Sequence, residues 1–311
     1  MSNSNVPAST QSLSSKSQQL TDEIEVFRII PQKQRRTVGP FCFVDHFGPT
    51  PPSTHLTFDV APHPHIGLQT LSYLWQGQIL HLDSLGSKQW LKPGQCNLMT
   101  AGKGISHAEV IPEEDAKKME LHGVQLWLAL PPEQMNTAPD FVHVSELPKV
   151  EVGSYQGLVI LGALEKLEVP VEVKSPCVAF DLKSEEQDAK GTIQLETEFE
   201  YLVYVVASKN DNILINGVAT AAHNGVYLAT NTDKLEIAGA GHVLVLGGTP
   251  YPENLRMFWN FVATSNEDLY DAANRWNEGD SIFGTVKDYP KYGKGPERLM
   301  SPEPPLSFKK P

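Results

Sequence analysis

The sequence predicts an all-β protein of two jelly-roll-type barrels, the first carrying a metal site, followed by a short C-terminal helix. Three observations predict it. Short alternating apolar and polar runs, bounded by Gly and Pro, fill two separate regions of the chain. Two pairs, His63-Pro64-His65 and His107-Ala108-Glu109, each place metal-capable side chains at i and i+2. The 311 residues suffice for two domains of about 100–150 residues, each able to bury its own core.

Residues 1–22, rich in Ser, Gln, Asn and Thr, have few apolar groups to offset chain entropy and are expected to form a disordered tail. Ile24–Ile30 alternates and reads as the opening strand, and Pro49–Pro52 as a breaker-rich loop. Thr70–Trp75 alternates as far as a turn at Gly77, and Gln78–Leu82 resumes after it, which signals a hairpin. Pro93-Gly94 precedes Cys96–Thr100, and Gly102-Lys103-Gly104 leads into Ile105–Glu109. These elements define a metal-binding barrel over 23–147, with the crossing to the second barrel between Pro131 and Pro148. The second barrel, 148–265, has strand segments at 157–161, 178–182, 199–207, 213–215 and 243–246, and is expected to hold no metal. Over 266–311, Leu269, Ala272, Ala273 and Trp276 have helical spacing and Gly279 sits at a helix end. The Pro-, Lys- and Gly-rich remainder from about Lys287 wraps the surface or stays loose.

On strands, i and i+2 side chains share a face, so two facing strands would bring His63, His65, His107 and Glu109 to one point. Three imidazoles and a carboxylate, without thiolate, suit one divalent ion: Fe(II), Mn, Ni, Cu or Zn. Four such ligands leave an octahedral ion two open positions, the requirement for catalysis. In the second barrel His223 and His242 stand alone, and Glu196, Glu198 and Glu200 read as a solvated strand face.

Composition narrows the function classes. A net charge of −12 argues against direct nucleic-acid binding, since an anionic surface repels phosphate. The only basic clusters, Lys33-Gln34-Arg35-Arg36 and Lys117-Lys118, read as solvated turns. Cys42, Cys96 and Cys177 are odd in number and widely spaced, which predicts no disulfide framework and a reducing, cytoplasmic compartment. There is no secretory signal pattern and no apolar run of about 18 residues, so no membrane partner is expected.

The pattern His63-x-His65, three residues, Gln69, seven residues, Gly77, then Pro93-x9-Lys103-x3-His107, resembles the two motifs of the cupin superfamily. The strings RRTVGPFCFVDHFGP, APHPHIGLQTLSYLWQGQILHLDSLGS, PGQCNLMTAGKGISHAEV and HGVQLWLALP resemble the N-terminal half of pirin and pirin-like proteins, from about Arg35 to Pro131. The resemblance implies a bicupin of two stacked barrels with one Fe(II) in the N-terminal barrel, on the positions His63, His65, His107 and Glu109. Some pirins are described as quercetin 2,3-dioxygenases, and one as an iron-dependent transcriptional coregulator, so the fold hosts both roles. Two positions depart from the family pattern. Gln69 stands where the family usually has Glu and Ile66 where it has Arg, which makes the margin of the site more apolar and less charged.

The resemblance thus leads to a dioxygenase acting on a planar phenolic substrate such as a flavonol, with O2. The second reading is an iron-binding, redox-sensing protein that regulates a protein partner. In the first, Glu109 is either the general base for the substrate's proton or a permanent ligand. His46 and His122 are weaker candidates to orient a ligand. Phe41, Phe43, Phe47, Met99, Trp75 and Trp127 either line a pocket or belong to the barrel core.

Overall fold

A computed structural model describes residues 10–20, 24–50, 58–116, 119–210 and 212–308. The Lys117-Lys118 cluster and parts of the expected tail and of the Pro49–Pro52 loop lie outside these residues. The chain folds into two compact units that interleave in sequence. One comprises Met1–Gln18, Phe27–His46 and Glu146–Tyr251; the other comprises Gln19–Val26, Phe47–Ser145 and Pro252–Pro311. The units do not follow chain order: 27–46 group with the C-terminal half, and the C-terminal helix groups with the histidine-bearing unit. Strand pairing, which ignores chain order, decides this.

In the histidine-bearing unit a four-stranded antiparallel sheet runs in the order Phe58–His65, Ile105–Ile111, Ile79–Asp83, Lys88–Leu91. A second sheet contains Asp140–Val144, Cys96–Thr100, Leu68–Gln76 and His122–Ala129 as neighbours in that order. One core cluster gathers Ile24, Val26, Phe47, Phe58, Leu74, Ile79, Leu91, Ile111 and Leu121. Phe47 is thus core, as is Met99, which is also buried.

The helix Asn266–Glu278 forms where its spacing predicts, burying Leu269, Ala272, Ala273 and Trp276. Ser265 supplies the capping oxygen to Asp268 N, and Gly279 ends the helix at φ 80°. Its apolar face packs with Phe261, Phe283 and Ile66. Leu269→Ala should lower the stability of the protein by about 2–5 kcal/mol through lost burial and the cavity left behind, read as a shift in the denaturant midpoint. The tail beyond Lys287 is fastened rather than loose. Tyr289 Oη donates to Asp59 Oδ1 at 2.7 Å, the Lys294 and Gly295 amides donate to Asp59 Oδ2, and Leu299 N donates to Pro62 O. Asp59 and Pro62 lie on the strand that carries His63 and His65.

In the other unit one sheet runs Thr10–Ser14, Asn224–Leu228, Glu200–Ser208, Gly241–Gly248, Cys177–Ser184, Tyr155–Leu164, Lys149–Val152. A four-stranded sheet of Lys190–Gln194, Lys234–Ala238, Ile213–Ile215 and Val218–Thr220 completes it. Two expectations are corrected here. Thr10–Ser14 is not disordered: it pairs in register with Asn224–Leu228 and buries Leu13. An edge strand needs paired backbone groups and one apolar anchor, which a polar composition does not forbid. Nor do Glu196, Glu198 and Glu200 form one solvated face. Glu196 and Glu198 are exposed outside any strand, whereas Glu200 is buried and accepts from Gly39 N at 2.6 Å and from Tyr227 Oη at 2.7 Å.

His46 and two of the aromatic candidates also belong to this unit. The His46 Nδ1 lies 2.9 Å from the Tyr204 hydroxyl and its ring stacks near His223. Phe41 is buried, and Phe43 packs under the Arg28 guanidinium. His242 is held by Asp181 at 3.0 Å. None of the three cysteines forms a disulfide, all are buried, and burial pushes the Cys96 and Cys177 thiols up to about 12. No helix among the described residues is long and apolar enough to cross a membrane.

Candidate metal centre

Antiparallel register builds the centre. Ile105–Ile111 lies between two partners, so that His107 sits opposite His63 on one side and Asp83 on the other, and Ile105 opposite His65. A register shift against Phe58–His65 falls between His107 and Glu109, whereas the pairing with Ile79–Asp83 runs without a shift and sets Glu109 opposite His81. The i, i+2 pairs keep to one face, as their spacing predicts. His63, His65, His107 and Glu109 are all buried.

The donor atoms form two overlapping groups. Those of His63, His65 and His107 lie within 4.8 Å of one another, and so do those of His81, His107 and Glu109. The four residues expected from the sequence therefore do not make one group by themselves. His81, which the sequence reading passed over, joins Glu109 to His107. Its signal was the triplet His81-Leu82-Asp83, a third i, i+2 pair of polar residues in the hairpin strand.

Hydrogen bonds orient the rings. His63 Nδ1 donates to Ala61 O at 3.0 Å and His65 Nδ1 to Asn260 O at 2.9 Å. With their protons on Nδ1, both rings keep a bare lone pair on Nε2. His65 Nε2 meets His107 Nε2 at 3.1 Å, and His107 Nδ1 is buried without a hydrogen-bond partner among the described residues. A neutral His107 carries one proton. On Nε2 it satisfies the contact with His65 and leaves Nδ1 with nothing to accept; on Nδ1 it leaves two lone pairs facing each other. Either tautomer leaves a buried nitrogen unsatisfied, which a bound cation relieves, so these residues fit a metal ion.

Burial sets the protonation states. It pushes His63 down to about 4 and holds His65 and His107 well below the ordinary imidazole value, so all three are neutral donors at neutral pH. Burial also raises the Glu109 carboxyl, partly offset by nearby His81 and by the Ser72 hydroxyl. Ser72 Oγ lies 3.0 Å from Glu109 Oε1 and 2.8 Å from Gln125 Oε1. One hydroxyl proton serves one acceptor. With the Gln125 amide turned, its nitrogen donates to Ser72 and Ser72 donates to Glu109.

The neighbouring candidates fall into place around this centre. Trp127 stands edge-on to the His65 ring at 5.1 Å, and Phe141 stacks on His81 at 4.4 Å. Gln69 is buried and donates from Nε2 to Thr100 Oγ1, so its amide is occupied locally. Ile66 packs into the helix cluster, where a guanidinium would have no such burial. His122 contacts Trp75 and lines no part of the two donor groups.

Comparison with known proteins agrees with this architecture. The pirin family model matches residues 23–128, and the model of the pirin C-terminal cupin domain matches 179–282. A Pseudomonas aeruginosa protein named "Putative quercetin 2,3-dioxygenase PA1205" is 37% identical over 279 residues, 89% of this chain and 86% of that protein. A Caulobacter vibrioides "Pirin-like protein" is 35% identical over 82% of this chain and 88% of its own length. The crystal structure of quercetin 2,3-dioxygenase from Acinetobacter baumannii superposes with a TM-score of 0.86 at 38% identity, covering 94% of this chain and 95% of that one. Two cupin domains, both matched and both built of strands, identify the chain as a bicupin belonging to the pirin family.

Proposed function

We propose that this chain is a metal-dependent dioxygenase that opens quercetin-type flavonols with O2, with Fe(II) held by His63, His65, His107 and Glu109. The observation that carries the reading is the buried group of three neutral imidazoles, two of them anchored through Nδ1, with a carboxylate on the adjoining strand position. Names of relatives at 37–38% identity support the substrate class. Imidazole and carboxylate without thiolate suit Fe(II), Mn, Ni, Cu and Zn alike, with availability deciding among them, and the choice of iron rests on the resemblance to pirins.

A divalent ion in this place supplies Lewis acidity toward the adjacent 3-hydroxyl and 4-carbonyl oxygens of a flavonol and a template that holds it beside dioxygen. The chain's residues do the rest. Glu109, loosened from the ion, would accept the 3-hydroxyl proton on Oε2, because Ser72 holds Oε1. Its buried setting raises its affinity for that proton, which suits a general base. Trp127 and Phe141 wall the centre with apolar surface and limit water around the deprotonated ring. The three buried cysteines, none of them in a disulfide, fit a reducing compartment, the cytoplasm.

The test is elemental analysis of freshly purified protein, followed by anaerobic quercetin and then air. About one iron per chain is expected, with loss of the flavonol absorbance and release of carbon monoxide. Iron with unchanged flavonol would instead favour a redox-responsive protein that acts on a partner.

A further inference from the structure

We infer that His81 is a fifth metal-directed donor, forming with His107 and Glu109 a second position for the ion that overlaps the first at His107. The inference rests on the metal reading above.

Three observations carry it. The donor atoms of His81, His107 and Glu109 lie mutually within 4.8 Å, the same criterion that the His63, His65, His107 group meets. His81 also has the anchoring that metal-binding imidazoles show. Its Nε2 faces Asp83 Oδ2 at 3.1 Å, and Asp83 Oδ1 is fixed in turn by the Leu85 and Ser87 amides, both at 2.9 Å. A carboxylate oxygen accepts, so the 3.1 Å contact places the His81 proton on Nε2 and leaves Nδ1 as the lone-pair nitrogen. Third, Phe141 stacks on the ring at 4.4 Å and locks its plane. An imidazole this firmly oriented has a defined donor direction, whereas a merely space-filling histidine needs none of these contacts. His107 belongs to both groups and is the ring whose Nδ1 lacks a partner among the described residues.

The inference is tested by titrating metal-free full-length protein with Co(II), reading affinity and the visible d–d absorption. In the His63→Ala/His65→Ala background, where only the second position remains, His81→Gln should weaken binding by about 10–100-fold and change the band shape, because one donor is lost. Asp83→Asn keeps the turn acceptor but presents an amide to Nε2. That reverses the His81 tautomer, removes the Nδ1 lone pair and should weaken binding within the same range, so it replaces His81→Gln if that variant does not fold. His63→Ala combined with His65→Ala should still bind Co(II), more weakly, and adding His81→Ala should abolish what remains. In the His63→Ala/His65→Ala background, an unchanged spectrum and affinity after His81→Gln or Asp83→Asn overturns the inference. So does a folded His63→Ala/His65→Ala protein that binds no Co(II). Wild-type protein that binds no Co(II) would remove the metal reading as a whole.

Discussion

His107→Ala is expected to lose the bound metal and all flavonol consumption while the barrel stays folded. His107 is the donor common to both groups, so its loss leaves neither group with three donors. The affinity loss should exceed the roughly 100-fold seen when only a residue supporting a ligand is removed. Stability should change little. The imidazole is buried, but its Nδ1 has no hydrogen-bond partner among the described residues, so truncation removes an unsatisfied polar atom along with its packing. These effects oppose each other, and the net cost should be about 1–2 kcal/mol. The comparison must be between metal-free proteins, because a bound ion stabilises the wild type by mass action. Metal content, quercetin consumption and a denaturant midpoint together check the prediction. An unfolded His107→Ala protein would make the site structural rather than catalytic.

Glu109→Gln separates the two roles of the carboxylate. The amide keeps the volume and can still accept from Ser72, but it neither carries charge to the ion nor takes a proton. Metal affinity should fall by about 10–100-fold, and turnover at saturating metal by about 10²–10⁴-fold. A variant that turns over normally once saturated would leave Glu109 as a permanent ligand only. Stability of the metal-free protein gives a second readout with a definite sign. Folding raises the Glu109 carboxyl above its ordinary value, so its contribution is fully present below that ordinary value and is lost as pH rises through the folded one. Metal-free Glu109→Gln should therefore be more stable than metal-free wild type at neutral pH, and the advantage should vanish in acid.

Much of this protein is written in local pattern. The i, i+2 pairs His63/His65 and His107/Glu109, the strands flanking Gly77 and Gly102, and the helix from Leu269 to Trp276 follow from side-chain periodicity, whereas the hairpin expected at Gly77 does not form, because Leu68–Gln76 and Ile79–Asp83 pair in different sheets. The resemblance to pirins rested on the same strings. What local pattern does not encode is register and partner choice. His81 faces Glu109 only because Ile79–Asp83 pairs with Ile105–Ile111 in one register and not one residue away. Likewise Thr10–Ser14 becomes a strand because an edge at Asn224–Leu228 is open to it, and Glu200 is buried because Gly39, 161 positions earlier, needs an acceptor. Asn260, far along the chain, fixes the His65 tautomer through its backbone carbonyl, which no side-chain pattern can announce. The sequence by itself determined the fold class and pointed to four candidate donors. Only the tertiary structure brought His81 beside His107 and Glu109 and set which nitrogen His63 and His65 leave bare, because hydrogen-bond partners far apart in sequence are chosen by the packed chain.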